Sequence, residues 1–147
     1  MEFFIQKSEY PKYFTYAELT ATGTGKANAP ATWEQVENLR RLALFLDGIR
    51  EKFGKPIKVN SGFRSPAVNA AVGGSKTSAH LKGLAADIAP VKSDNRSKAA
   101  FLDVLGEFLP RMDQLIVYTE NGSKDPSKLR FAHVGLSENP RGTLLWK

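Results

Sequence analysis

The sequence predicts an α+β fold in which a small antiparallel sheet is flanked by helices. Two observations carry that expectation. Apolar residues recur at helical spacing in a long segment that opens at Thr32, and again after Ser97. Short apolar runs of strand length, bounded by Gly, Pro, Asn and Ser, fill the intervals between and after these two segments.

Residues 1–31 are aromatic at first and then rich in Thr, Gly, Ala, Asn and Pro, which reads as an irregular N-terminal arm with FTYAEL as a short helical turn. The next segment, TWEQVENLRRLALFLDGIREKF, puts Trp33, Val36, Leu39, Leu42, Ala43, Leu46, Ile49 and Phe53 on one helical stripe. Thr32 and Gln35 have the spacing of a capping box, and Gly54 followed by Pro56 stops the helix. PIKVNSGF reads as a strand. SPAVNAA reads as a short helix capped by Ser65, with Pro66 in the first position, where its missing N–H costs nothing. GLAADIAP is a short, nearly all-apolar strand with one charge. A second amphipathic helix is expected from about Ser97 to Leu109, turning Phe101, Leu102, Val104, Leu105, Phe108 and Leu109 inward. DQLIVYTE and RFAHVGLS are two further strands across the polar turn ENGSKDPSK.

With 147 residues, 41% of them hydrophobic and 24% charged, the chain fits one globular domain, 1–147, able to bury a core without staples. It has no cysteine, which excludes a disulfide framework, a thiolate metal site and a cysteine nucleophile. A net charge of +6 favours anionic partners. The basic residues are dispersed with no run of them, so a nucleic-acid partner is not expected. No apolar stretch approaches the ~18 residues of a membrane span, and the first residues lack the apolar core of a signal peptide. The expectation is a protein made in the cytoplasm without a signal peptide, with no membrane partner, and monomeric.

The chain has two histidines, His80 and His133, each beside or within an expected strand. Two imidazoles and one carboxylate leave a fourth tetrahedral position open, the arrangement of catalytic zinc. Asp87 lies in an apolar strand, where an unpaired carboxylate would cost several kcal/mol, so it needs a cation, N–H donors or a metal. A cap or a salt bridge would satisfy it equally well. Arg64, at the end of the strand before, could fork onto a substrate carboxylate or steady an oxyanion, or form an ordinary surface ion pair.

Four motifs stand in order: S-G-F-R-S at 61–65, V-G-G-S at 72–75, S-A-H-L-K-G-L-A-A-D at 78–87 and F-A-H-V at 131–134. Together they resemble the zinc D-alanyl-D-alanine peptidase family, and within it the small phage and bacterial peptidoglycan peptidases, from about Phe14 onward. The helix before SGFRS and the D-Q-L-I run at 113–116 fit the same branch. The resemblance implies the Hedgehog/DD-peptidase fold and Zn2+ as cofactor, held by His80, Asp87 and His133. It makes Arg64 the cation that steadies the carbonyl oxygen, with Ser78 supporting the site and Ser61 and Ser65 holding the arginine loop. The implied partner is a peptidoglycan stem peptide, and the implied reaction is hydrolysis of an amide by metal-activated water, as a D,D-carboxypeptidase or an endolysin-like endopeptidase. Such an enzyme would act on the cell wall after release, as a phage or prophage product.

One part of the pattern departs. The family takes a proton from water with an acid. Three residues before the final histidine, where several branches place it, this chain has Arg130. Two residues beyond D-Q-L-I, where this branch has Glu, it has Tyr118. The nearest acid is Glu120, on the same face of an extended strand but roughly 6.6 Å further along. Either a bulge brings Glu120 into place, or Tyr118 serves as a weaker base. Failing both, zinc hydroxide alone must suffice, or the chain is a non-catalytic zinc or cell-wall binding module, such as a phage structural component. Phe131, where the family usually has Trp, is a milder departure.

Overall fold

The computed structural model describes residues 11–147, so the first ten residues of the arm lie outside the described part. Thr15 and Glu18 cap each other reciprocally at the start of α1 (Tyr16–Thr20), within the FTYAEL segment. Thr32 and Gln35 do the same for α2 (Trp33–Phe53), which ends on Gly54 in the left-handed region, its N–H donating to Arg50 O. β1 (Ile57–Ser61) follows, then α3 (Pro66–Ala71), opened by the Ser65 hydroxyl accepting from Val68 N–H. A single 3-10 turn, Ala79–Lys82, leads into β2 (Ala85–Pro90). α4 (Asn95–Phe108) begins two residues before the expected start and is capped by Asp94. The Asp94 carboxylate accepts from both the N–H and the hydroxyl of Ser97 at 3.0 and 2.7 Å. β3 (Gln114–Thr119), β4 (Leu129–Gly135) and β5 (Thr143–Trp146) complete the chain.

The strands form one sheet in the order β1-β2-β4-β3-β5. Its first four strands are antiparallel, as the sequence predicts, but β5 runs parallel to β3 and makes the sheet mixed. β5 lay outside the elements read from the sequence. It has four residues, and Leu144 and Leu145 are exposed, so it carries no alternating pattern of burial to read.

Strand alternation divides the sheet into two faces. Ile57, Ala86, Ile88, Leu115, Val117, Ala132 and Val134 point to the core, where they meet Leu42, Leu46 and Ile49 of α2 and Phe101 and Leu105 of α4. The opposite face carries Asp87, His133, Ile116, Tyr118 and Phe131, and the register sets Asp87 beside His133 and His133 beside Ile116. One expected core residue is misplaced by the sequence reading: Trp33 is 83% exposed. It is the first residue of α2, whose buried residues begin only at Leu39. Phe108 and Leu109 are half-buried, Phe108 packing edge-on against Phe45 at 5.8 Å. No described helix is long and apolar enough to cross a membrane.

Candidate metal centre

His80, Asp87 and His133 converge although they come from a 3-10 turn, β2 and β4. Each offers a ligand atom, and the three atoms lie within 4.8 Å of one another. Asp87 Oδ1 is 2.9 Å from His133 Nδ1 and 3.3 Å from His80 Nε2. Donors at ~2.0–2.2 Å from a tetrahedral zinc stand on the order of 3.3 Å apart, so this set fits such an ion. His80 and Asp87 are buried, at 2% and 8% exposure, while His133 is half-buried.

Local structure accounts for each donor. Ser78 caps the 3-10 turn, its hydroxyl accepting from His80 N–H at 3.2 Å. His80 Nδ1 is 2.7 Å from Gly62 O. A carbonyl can only accept, so Nδ1 carries the proton and Nε2 presents its lone pair to the centre. The turn ends at Gly83 with φ +76°, and a Cβ there would stand 2.8 Å from Gln35 O in α2. Gln35 and Asn38 of α2 in turn donate to Leu81 O and Lys82 O at 3.3 and 2.9 Å, seating the turn on the helix. Gly83→Ala is therefore expected to destabilise the protein by roughly 1–3 kcal/mol through backbone strain and that collision. A chemical denaturation midpoint unchanged from the parent would contradict this.

Burial alone would push the Asp87 carboxyl up. Without a metal, hydrogen bonds from the His133 and His80 rings in their protonated form, with the charge they then carry, outweigh it and hold the carboxyl well below the usual carboxylate range. Asp87 is thus an ionised donor at neutral pH, as a metal ligand must be. Its second oxygen faces Arg64 Nη2 at 3.5 Å. Arg64 is mostly buried, and its Nε donates to Ser61 Oγ at 3.1 Å. Ser65 does not touch the guanidinium; it anchors the loop behind it.

Arg64, His80, Asp87 and His133 line a cleft of about 530 Å³ together with Gln114, Tyr118 and Phe131. The Tyr118 ring stacks on Phe131 with centroids 4.6 Å apart, and its hydroxyl has no hydrogen-bond partner among the described residues. Asp113, at the rim, is already held by Arg141, each carboxylate oxygen accepting at 2.9 Å.

Glu120 is not brought into the cleft. The register does shift between Tyr118 and Thr119, where a bulge was the device expected to re-aim it. β3 ends there, however, and the chain turns through Asn121 and Gly122, both at positive φ. The Glu120 side chain is 64% exposed and pairs with Lys128 at 3.7 Å. Among the described residues, no carboxylate in the cleft is both near the three donors and free of a partner.

Comparison with known proteins identifies a family. Residues 12–108 match the family described as Peptidase M15. A segment of 91 residues is 38% identical to the zinc D-Ala-D-Ala carboxypeptidase of Streptomyces albus G, over 53% of this chain and 31% of that protein. The chain thus spans less than a third of that relative's length. The family match contains Arg64, His80 and Asp87 but stops before His133, which the sheet register delivers.

Proposed function

This chain belongs to the Peptidase M15 family, and from that premise we propose that it is a zinc-dependent peptidase acting on the peptide stems of peptidoglycan. The observation that carries the reading is the convergence of His80, Asp87 and His133 in an open cleft beside Arg64. Two imidazoles and a carboxylate would hold zinc and leave a position for a ligand. When bound, zinc supplies Lewis acidity, which polarises an amide carbonyl and makes water more acidic.

The chain's own groups do the rest. The Arg64 guanidinium, mostly buried beside the donors, offers N–H donors to an oxygen that gains negative charge. His80 is held in one tautomer by Gly62 O, which leaves its Nε2 lone pair beside Asp87 Oδ1 and the His133 ring to share a metal. Tyr118, steadied on Phe131, presents its hydroxyl to the same cleft, where it can donate a hydrogen bond to substrate. The net charge of +6 suits an anionic wall polymer. Since the similar carboxypeptidase is named for D-Ala-D-Ala, a terminal D-Ala-D-Ala bond is the first substrate to test, with internal stem bonds next.

The zinc-loaded protein, incubated with a panel of muropeptides, is expected to release new amino or carboxyl termini, and release should stop on chelation. Stoichiometric zinc with no cleavage of any panel member would overturn the peptidase reading. One observation favours a second reading, a non-catalytic zinc-bearing wall-binding module: Tyr118 occupies the cleft while Glu120 pairs with Lys128 outside it. Retained binding to wall fragments without turnover would select it.

A further inference from the structure

We propose that Asn28, in the irregular arm, is a positioning residue that sets the Arg64 guanidinium against the reacting carbonyl. The inference rests on the reading of Arg64 given above, as the group that steadies the carbonyl oxygen. Its basis is a clamp on both neighbours of Arg64. Asn28 Nδ2 donates to Phe63 O at 2.8 Å, and Ser65 N–H donates to Asn28 Oδ1 at 2.7 Å. The second Nδ2 hydrogen goes to Thr20 O at 2.9 Å, at the end of α1. Three bonds from one amide define its orientation. Turning it over would set its oxygen against two carbonyls and its NH2 against an N–H.

The rest of the arm reinforces the clamp. Ser65 Oγ donates to Ala27 O and Phe63 N–H to Leu19 O, each at 2.7 Å. Gly62 completes the fit, since a Cβ on it would stand 2.3 Å from Leu19 O. On its other side the same loop is tied to the donors, with Arg64 N–H donating to His80 O at 3.0 Å and Gly62 O facing His80 Nδ1 at 2.7 Å. The segment Gly62–Ser65 is therefore stretched between the donor turn and the arm. Asn28 itself does not line the cleft, so it acts through the loop. A displacement of about 1 Å in a group that must meet a transition state can cost on the order of 10²-fold in rate.

The test compares Asn28→Ala, Arg64→Ala and the double variant in the zinc-loaded full chain, using a synthetic stem peptide ending in D-Ala-D-Ala. Asn28→Ala should lower kcat roughly 10- to 100-fold with KM within a few-fold and zinc per chain unchanged. In the Arg64→Ala background the same change should cost no further activity, because the group it positions is gone. By NMR, the Arg64 Nε–H resonance should shift or broaden, and the Ser65 amide should exchange about tenfold faster. An equal loss in both backgrounds, or an unmoved Arg64 resonance and unmoved kcat accompanied by a lower Tm, would overturn the proposal. If the parent itself cleaves nothing, the peptidase reading falls, and the Arg64 resonance and Ser65 exchange still decide the clamp. Should Asn28→Ala not fold, Asn28→Asp keeps the acceptor for Ser65 and loses the donors to Thr20 and Phe63. It should shift the Arg64 resonance in the same direction, and an unshifted resonance would count against the clamp.

Discussion

Asp87→Asn is expected to abolish stoichiometric zinc retention while leaving the protein folded. Asp87 is the hub of the centre: Oδ1 meets both imidazoles and Oδ2 faces Arg64. Asparagine has the same shape, so β2, buried along its length, can still pack between β1 and β4. What changes is the charge and one lone-pair set. An amide is a poorer donor to a divalent ion, and its NH2 cannot share a centre with the cation. Loss of an outer partner of a metal ligand typically costs 10- to 100-fold in affinity, and loss of a ligand itself costs more. Equilibrium dialysis against zinc, with far-ultraviolet circular dichroism as the control for folding, reads both effects. Wild-type affinity in the variant would mean that Asp87 is not a ligand. Hydrolysis of any peptide that the parent cleaves should disappear together with the zinc.

Tyr118→Glu is expected to raise kcat by ~10²–10⁴-fold, the usual worth of a placed general base. Tyr118 lies on the same sheet face as His133, one row along, since Ile116 pairs with His133 and Tyr118 with Phe131. Its ring lines the cleft and its hydroxyl is unpaired among the described residues. A carboxylate in that place accepts a proton from water at neutral pH far more readily than a phenol does. The acids already near are committed, Asp87 to the donors and Asp113 to Arg141. The gain should appear in kcat with little change in zinc content, and Tyr118→Gln, which has similar length but no base, should not reproduce it. Equal rates for the Glu and Gln variants would sink the idea that a missing base limits turnover. Glu120→Gln, by contrast, is expected to be neutral, because Glu120 is exposed and paired with Lys128 outside the cleft.

Much of this architecture follows from local chemistry. The 3.6-residue recurrence of Leu39, Leu42, Leu46 and Ile49, the Thr32/Gln35 box and the stop at Gly54 predict α2 because each is a short-range backbone or packing requirement. The Ser65–Pro66 start of α3 is legible for the same reason. Trp33 fits the helical stripe as a pattern, yet whether a stripe position is buried depends on where the helix overhangs the sheet. Glu120 keeps strand phase with Tyr118 on paper, but a strand ends where its partner stops pairing, and neighbouring residues do not reveal that. Asn28 carried no signal at all in an arm that reads as irregular, because its three partners, Thr20, Phe63 and Ser65, are joined to it through the fold.

By itself, the order of residues determined the helices and four of the strands, together with the types of side chain available for metal chemistry: two histidines, one carboxylate in an apolar strand, one arginine after a strand and no cysteine. Only the tertiary structure decided that His80, Asp87 and His133 meet, that the cleft presents Tyr118 while Glu120 lies outside, and that β5 closes the sheet in parallel. Helices and turns are specified by interactions over three or four residues, each legible along the chain. A three-donor centre depends on sheet register between strands dozens of residues apart, where a slip of one residue would turn every side chain to the opposite face.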